Sequence, residues 1–118
     1  MVEYQNGEVL MRRLVDLALE KKAKDVVSLK LTGLTLIADY FIILSATNTR
    51  QAQAIADALY ETLKDENQQA LRIEGYQDGR WILLDFGSVV VHIFQPDERS
   101  FYDLETLWGD AEKQTYEA

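Results

Sequence analysis

The spacing of apolar residues predicts two long amphipathic helices and one short helix. Over residues 7–24, one helical face is apolar at Leu10, Leu14, Leu17 and Ala18. In the second helix, which runs to about residue 66, the apolar stripe is Ala52, Ile55, Ala56, Leu59 and Leu63. Asn48, followed three positions later by Gln51, predicts the N-cap of this second helix. A short third helix follows Pro96 and ends at Gly109, with apolar positions at Phe101, Leu104, Leu107 and Trp108.

Five further segments have the composition and periodicity of strands. They are residues 25–31, 40–46, 71–74, 81–86 and 89–94. The second is apolar at almost every position, as expected of a strand that is covered on both faces. Its order with the second helix and the third strand predicts a parallel pair joined by a right-handed crossover. We therefore predict an α+β fold in which a mixed five-stranded sheet shares one core with three helices.

Length and composition limit the class of protein. A chain of 118 residues fits one domain, and we expect a single domain over residues 1–118, with residues 110–118 as a frayed acidic tail. The absence of cysteine excludes disulfides, thiolate zinc sites and a cysteine nucleophile. No segment resembles a secretory signal or is apolar for long enough to span a bilayer. We expect a cytoplasmic protein with no membrane partner.

Acidic residues dominate the charge of the chain. The net charge is −8, and from Asp97 onward seven acids stand against two bases, so −5 of it lies in this last part. Free nucleic acid is not an expected partner, because binding it relies on clustered Lys and Arg. A basic protein surface is the better electrostatic match. Acidity also keeps proteins soluble, so charge alone leaves the partner open.

The residue patterns of common enzymes are missing. There is no Gly-rich phosphate loop, and His92, the single histidine, lies mid-strand with no evident nucleophile beside it. The order of elements is compatible with a nucleotidyltransferase-like sheet, but two-metal phosphoryl transfer needs paired acids on one strand face. Asp39, Glu74 and Asp85 each stand alone. We therefore predict no enzyme activity, no metal site and no cofactor, with a residual nucleotide-binding protein as the alternative.

The fourth strand has two faces of different character. One face is wholly apolar and predicts the core: Ile82, Leu84 and Phe86. The other face carries an aromatic, an aliphatic and an acidic residue, with charged neighbours expected from the third strand: Trp81, Leu83, Asp85, Arg72 and Glu74. An exposed aromatic anchor in polar surroundings is typical of a protein-binding hot spot. Two alternatives stay open, since Trp81 could be half-buried under a helix or could form a homodimer interface.

Eight short segments, in this order and spacing, carry a specific resemblance. They are Ile37–Phe41, Asn48–Gln51, Ile55–Asp57, Glu74–Gly75, Trp81–Asp85, Val89–Phe94, Phe101–Glu105 and Leu107–Asp110. Together they resemble the iojap-like family, the ribosomal silencing factors called RsfS in bacteria. The resemblance extends over nearly the whole chain, from Leu10 to Asp110.

The resemblance implies a steric function on a fold similar to nucleotidyltransferases but without their catalytic acids. Members of the family bind the large ribosomal subunit through its protein L-fourteen and block joining of the small subunit, which lowers translation when nutrients are short. Carried over to this chain, Trp81 is the anchor and Leu83 lies beside it. Asp85 and Glu74 would accept hydrogen bonds from Lys or Arg of the partner. The full predicted partner-binding set is Trp81, Leu83, Asp85, Glu74, Arg72 and Val91. The resemblance also implies a homodimer.

Overall fold

The structure, a computed structural model, describes residues 6–117. The helices and strands of this part of the chain follow in the order α1 (Gly7–Glu20), β1 (Lys24–Lys30), β2 (Tyr40–Ser45), α2 (Thr49–Asp65), β3 (Arg72–Glu74), β4 (Trp81–Asp85), β5 (Val89–Phe94), α3 (Pro96–Tyr102), α4 (Leu104–Leu107) and β6 (Glu112–Tyr116). The predicted α+β class is confirmed. Residues 1–5 and 118 of the predicted domain lie outside the described residues. None of the helices described here combines the length and apolarity needed to cross a membrane.

The strands of the described chain form one mixed sheet in the order β3-β4-β5-β2-β1-β6. In the described sheet β2 and β5 pair in parallel, and the other neighbouring pairs are antiparallel. The predicted pairing of the second and third strands is wrong, because β4 and β5 lie between them. Strand β5 is buried along its whole length and takes a central place, whereas β3 has three exposed residues and lies at an edge.

The predicted frayed tail is wrong for residues 112–116. These residues form β6, which pairs antiparallel with β1 and is anchored by a 2.8 Å hydrogen bond between the Tyr116 and Ser28 hydroxyls. The sheet in the described region therefore has six strands rather than the predicted five. Strand β6 has no apolar alternation because it lies at the sheet edge, where backbone pairing and one packed aromatic suffice. The likeness to nucleotidyltransferases stays a prediction.

Local side-chain contacts account for where the helices begin and end. The predicted N-cap of α2 is confirmed, since the Asn48 side chain accepts a 2.8 Å hydrogen bond from the Gln51 backbone N–H. The Gln51 side chain accepts in turn from the backbone N–H of Thr47, at 2.6 Å. The predicted third helix is present but is divided at Asp103, whose backbone is left-handed with φ at +46°. This break turns α4 onto the sheet.

Arg99 ties α3 to the rest of the fold. Its side chain is only 14% exposed and lies over the ends of β1 and β2. The guanidinium donates to the Glu105 carboxylate at 3.0 Å, to the Ser45 hydroxyl at 2.8 Å and to the Asp25 carbonyl at 2.7 Å. Lys113 of β6 contacts the second Glu105 oxygen at 3.0 Å. One charged network thus joins the C-terminal elements to the central strands.

The two faces of the sheet are covered unequally. Helices α1 and α2 cover one face, where the larger part of the core lies. The opposite face carries a smaller cluster of Val27, Leu29, Leu31, Ala38, Phe41, Ile43, Val90 and Phe94. Among the described elements, only short ones pack on this second face, chiefly through Leu104, Trp108 and Ala111. The part of this face formed by β3 and β4 therefore stays accessible.

Candidate partner-binding surface

Five of the six predicted partner-binding residues lie side by side on β3 and β4. In this antiparallel pair Arg72 lies opposite Asp85 and Glu74 opposite Leu83, and residues directly opposite each other share a face of the sheet. Trp81, Leu83 and Asp85 are half-buried, whereas Arg72 and Glu74 are exposed. We call these residues the β3–β4 surface: Arg72, Glu74, Trp81, Leu83 and Asp85.

Val91 lies elsewhere, and its assignment to the partner surface is wrong. It is opposite Leu84 on β4 and Ile42 on β2, in the cluster beneath α1 and α2, with 0% of its surface exposed. Successive residues of a strand point to opposite faces, so Val91 and its neighbour His92 are on different sides of the sheet. A residue without accessible surface is unable to contact a partner.

Arg72 organises the charges of the β3–β4 surface. Its Nε donates to Asp85 Oδ2 at 3.2 Å, and its Nη1 forms an ion pair with the Glu74 carboxylate. Asp85 also accepts a 2.8 Å hydrogen bond from the Gly87 backbone N–H, which fixes its carboxylate beside the hairpin. Two carboxylates and one guanidinium leave this surface with a charge of −1. The ion pair between Arg72 and Glu74 is exposed to solvent, and such pairs contribute little to stability. A Lys or Arg side chain of a partner is therefore able to compete with Arg72 for the Glu74 carboxylate.

Trp81 is the centre of an aromatic group that continues the surface onto α3. Its ring centroid lies 4.9 Å from that of Phe94 and 4.5 Å from that of Tyr102. The ring of Phe101 lies 5.0 Å from that of Tyr102. The indole Nε1 donates a 3.1 Å hydrogen bond to Nδ1 of His92. Trp81 is thus both half-buried packing and part of an accessible surface.

Sequence reasoning missed Phe101 and Tyr102 as surface residues. Phe101 is 81% exposed and Tyr102 is 46% exposed, although the helical spacing predicts Phe101 to be in the core. The break at Asp103 changes the face on which α3 and α4 present their apolar residues. The sequence gives little signal for this exposure, because neighbouring helix positions lie about 100° apart and both are able to face the core, as Leu10 and Met11 do in α1.

A small hollow lies beside Trp81, between β3 and β4. Its volume is about 230 Å³, and its lining is Glu74, Gly75, Trp81 and Leu83. Gly75 has a left-handed backbone with φ at +77°, and a Cβ placed there would lie 2.0 Å from the Trp81 carbonyl oxygen. The close approach that forms this side of the hollow therefore requires glycine.

Replacing Gly75 with alanine should destabilise the fold by more than about 1 kcal/mol, because the left-handed backbone and the clash with Trp81 act together. Thermal unfolding followed by circular dichroism measures the change. Gly33→Ala is the matched control, since Gly33 also has a positive φ, +88°, but its Cβ would meet no atom within 4 Å. Equal losses in the two variants would contradict the importance of the Trp81 contact.

The titratable groups at and beneath the β3–β4 surface are buried or paired in the described chain. Among the described residues there is no group of three or more His, Asp or Glu side chains able to hold a metal ion. Burial lowers the pKa of His92 to about 4, so its imidazole is neutral near pH 7. The Asp85 and Glu74 carboxylates both contact Arg72.

Comparison with known proteins identifies the relatives of the chain. Residues 4–118 match the family model described as "Ribosomal silencing factor during starvation". The ribosomal silencing factor RsfS of Halalkalibacterium halodurans is 43% identical over 106 residues, which cover 90% of this chain and 91% of that protein. The mouse "Mitochondrial assembly of ribosomal large subunit protein 1" is 36% identical over 98 residues, covering 80% of this chain and 43% of the mouse protein. A crystal structure of a protein from Chromobacterium violaceum superposes with a TM-score of 0.84 at 31% identity, covering 86% of this chain and 85% of that one.

Proposed function

Because the chain belongs to the ribosomal silencing factor family, we propose that it represses translation by binding the large ribosomal subunit and preventing the small subunit from joining it. The contact we propose is with ribosomal protein L-fourteen, through the β3–β4 surface. The name of the mouse relative, which refers to the large ribosomal subunit, supports the choice of subunit. The mechanism is steric, so no bond is made or broken. We expect the protein to act in the cytoplasm.

The observation that carries this proposal is the half-buried Trp81 on an otherwise uncovered part of the sheet. Aromatic anchors that are held rigidly and surrounded by polar groups supply much of the binding energy at protein interfaces. Phe94 and Tyr102 pack against the indole, and His92 accepts the hydrogen bond of its nitrogen. The anchor is thus largely preorganised before it meets a partner.

Charge supports a protein contact rather than an RNA contact. The chain carries −8, which disfavours the phosphate backbone of RNA and favours a basic ribosomal protein. On the β3–β4 surface, Glu74 and Asp85 are the acceptors for Lys or Arg of that protein. The described part of the chain measures 36 × 31 × 26 Å, large enough to obstruct a second subunit when bound between the two.

Co-sedimentation with isolated ribosomal subunits tests this function. We expect the purified chain to sediment with free large subunits, not with small subunits, and to reduce the fraction of joined ribosomes as its concentration rises. The reduction should require free subunits, because a steric block does not separate particles that are already joined. A chain that stays at the top of the gradient with every particle would contradict the proposal.

Two other uses of the surface are distinguished by further measurements. A homodimer through the β3–β4 surface, which stays a prediction, would appear as a doubled mass in light scattering and as weaker subunit binding at high chain concentration. Residual nucleotide binding would need the strand acids Asp39, Glu74 and Asp85 as metal ligands, and two of them, Glu74 and Asp85, already contact Arg72. Calorimetric titration with ATP and magnesium tests this alternative, because nucleotide binding should release or absorb measurable heat.

A further inference from the structure

His92 lies on β5 directly beneath the accessible part of the sheet. It faces the same side as Trp81 and is opposite Leu83 in the register of β4 and β5. Only 4% of its surface is exposed. The ring of Phe41 contacts its ring edge-on at 4.6 Å between centroids, and the ring of Phe94 stacks at 6.0 Å. His92 is thus a buried imidazole among aromatic and aliphatic side chains.

The hydrogen bond with Trp81 determines which nitrogen of this imidazole carries the proton. An indole nitrogen only donates, so Nδ1 of His92 must accept in the 3.1 Å contact with Trp81 Nε1. Burial lowers the pKa of His92 to about 4, and the ring is neutral near pH 7. A neutral imidazole whose Nδ1 accepts carries its proton on Nε2. The Nε2 atom is buried and has no hydrogen-bond partner in the described structure.

This orphaned N–H shows that packing alone does not account for the histidine. A buried donor without an acceptor destabilises a fold. A phenylalanine would keep an aromatic ring among the same side chains and would remove the unsatisfied Nε2 of the histidine. What phenylalanine lacks is the acceptor for the indole of Trp81. The imidazole therefore provides a hydrogen bond at the expense of stability.

We propose that His92 is a positioning residue, which accepts the indole N–H of Trp81 and thereby fixes the orientation in which Trp81 meets its partner. This inference rests on the proposed function for the identity of the partner, the large ribosomal subunit. It deepens that function by assigning a role to a residue that the partner does not touch.

The surroundings of Trp81 explain why its orientation needs fixing. Phe94 and Tyr102 pack against the indole, but the hollow of about 230 Å³ lies on the side of Glu74, Gly75 and Leu83. Without the hydrogen bond, the indole has room to turn into this hollow. A partner would then have to restore the bound orientation, which lowers affinity.

Two variants of the full chain separate positioning from packing. His92→Phe keeps an aromatic ring and removes the acceptor. His92→Asn places an amide oxygen near the position of Nδ1 and keeps the acceptor, but buries a polar group in poorer packing. The measurements are thermal unfolding, NMR hydrogen exchange of the Trp81 indole N–H, and affinity for isolated large subunits. The indole of Trp108 serves as internal reference, since the chain has two tryptophans.

We expect each variant to keep the property that the other loses: His92→Phe keeps stability and loses affinity, whereas His92→Asn loses stability and keeps affinity. His92→Phe should be at least as stable as the wild type, yet should exchange its Trp81 indole proton faster and bind roughly three- to tenfold more weakly, the effect of one net hydrogen bond. His92→Asn should be less stable but should keep slow indole exchange and near wild-type affinity. If affinity instead follows stability, or if indole exchange is unchanged in His92→Phe, the positioning role is overturned. A wild-type chain that does not bind large subunits contradicts the proposed function, whereas the indole exchange still decides whether His92 holds Trp81.

Discussion

Trp81→Ala should weaken binding to large ribosomal subunits by at least roughly 30-fold, which corresponds to about 2 kcal/mol. The indole is the largest apolar group of the β3–β4 surface, and its loss also leaves the rings of Phe94 and Tyr102 without their neighbour. Titration of labelled chain with isolated large subunits measures the effect. A variant that binds like the wild type would remove Trp81 from the interface.

The same substitution also costs stability, so it needs a matched control. Trp81 is half-buried, and the loss should be below the ~3–5 kcal/mol of a fully buried aromatic residue. Trp108→Ala is the control, because Trp108 is also half-buried on this side of the sheet, where its ring contacts Phe41 at 5.9 Å between centroids. We expect Trp108→Ala to be destabilised comparably and to bind normally. Equal loss of binding in both variants would indicate damage to the fold instead.

Arg99→Met should lower the free energy of unfolding by about 2–3 kcal/mol, near the lower limit for breaking one partner of a buried charge network. The change leaves Glu105 with Lys113 alone, and it removes the donor to the Ser45 hydroxyl and the Asp25 carbonyl. Chemical denaturation measures the difference. Arg12→Met is the control, since its ion pair with Glu8 is exposed and should contribute much less to stability.

The effect of Arg99→Met should depend on pH in a defined direction. Burial raises the pKa of Glu105, but the hydrogen bonds and charges of Arg99 and Lys113 lower it more, so the pKa lies below its ordinary value in the folded chain. Such a group stabilises the fold above its unfolded pKa, and the contribution is lost as pH falls through the folded pKa. The difference between wild type and Arg99→Met should therefore be largest at neutral pH and should shrink in acid. A difference that is constant down to acid pH would contradict the charge-based explanation.

Local patterns in the sequence are sufficient for the first two helices and for the faces of β4. The alternation from Trp81 to Asp85 separates a buried side from an accessible side, and the structure has the same division. Strand β5 gives no such information, because all six of its residues are buried. The pattern therefore does not indicate which face of the sheet Val91 lies on. For Leu84, its neighbour on β4, the alternation predicts the core face correctly.

Pairing between distant segments was harder to predict than the segments themselves. The place of β5 beside β2 depends on how much apolar surface each strand buries, which is a property of the whole sheet. The division of the third helix depends on the backbone of a single residue, Asp103, and on the network around Arg99. The exposed aromatic residues on α3 follow from that break, so the full extent of the partner surface required the structure.

The polar sequence of β6, because of which this strand was not predicted, also affects whether copies of the chain pair through their sheet edges. An open sheet has two edge strands with unpaired backbone groups, and these groups invite strand pairing between molecules. Here one edge is the three-residue β3 with Arg72 and Glu74, and the other is β6 with Glu112 and Lys113. Both edges carry exposed charges of both signs, and one of them is very short. The sheet is thus protected against extension into aggregates even where many copies gather at high concentration.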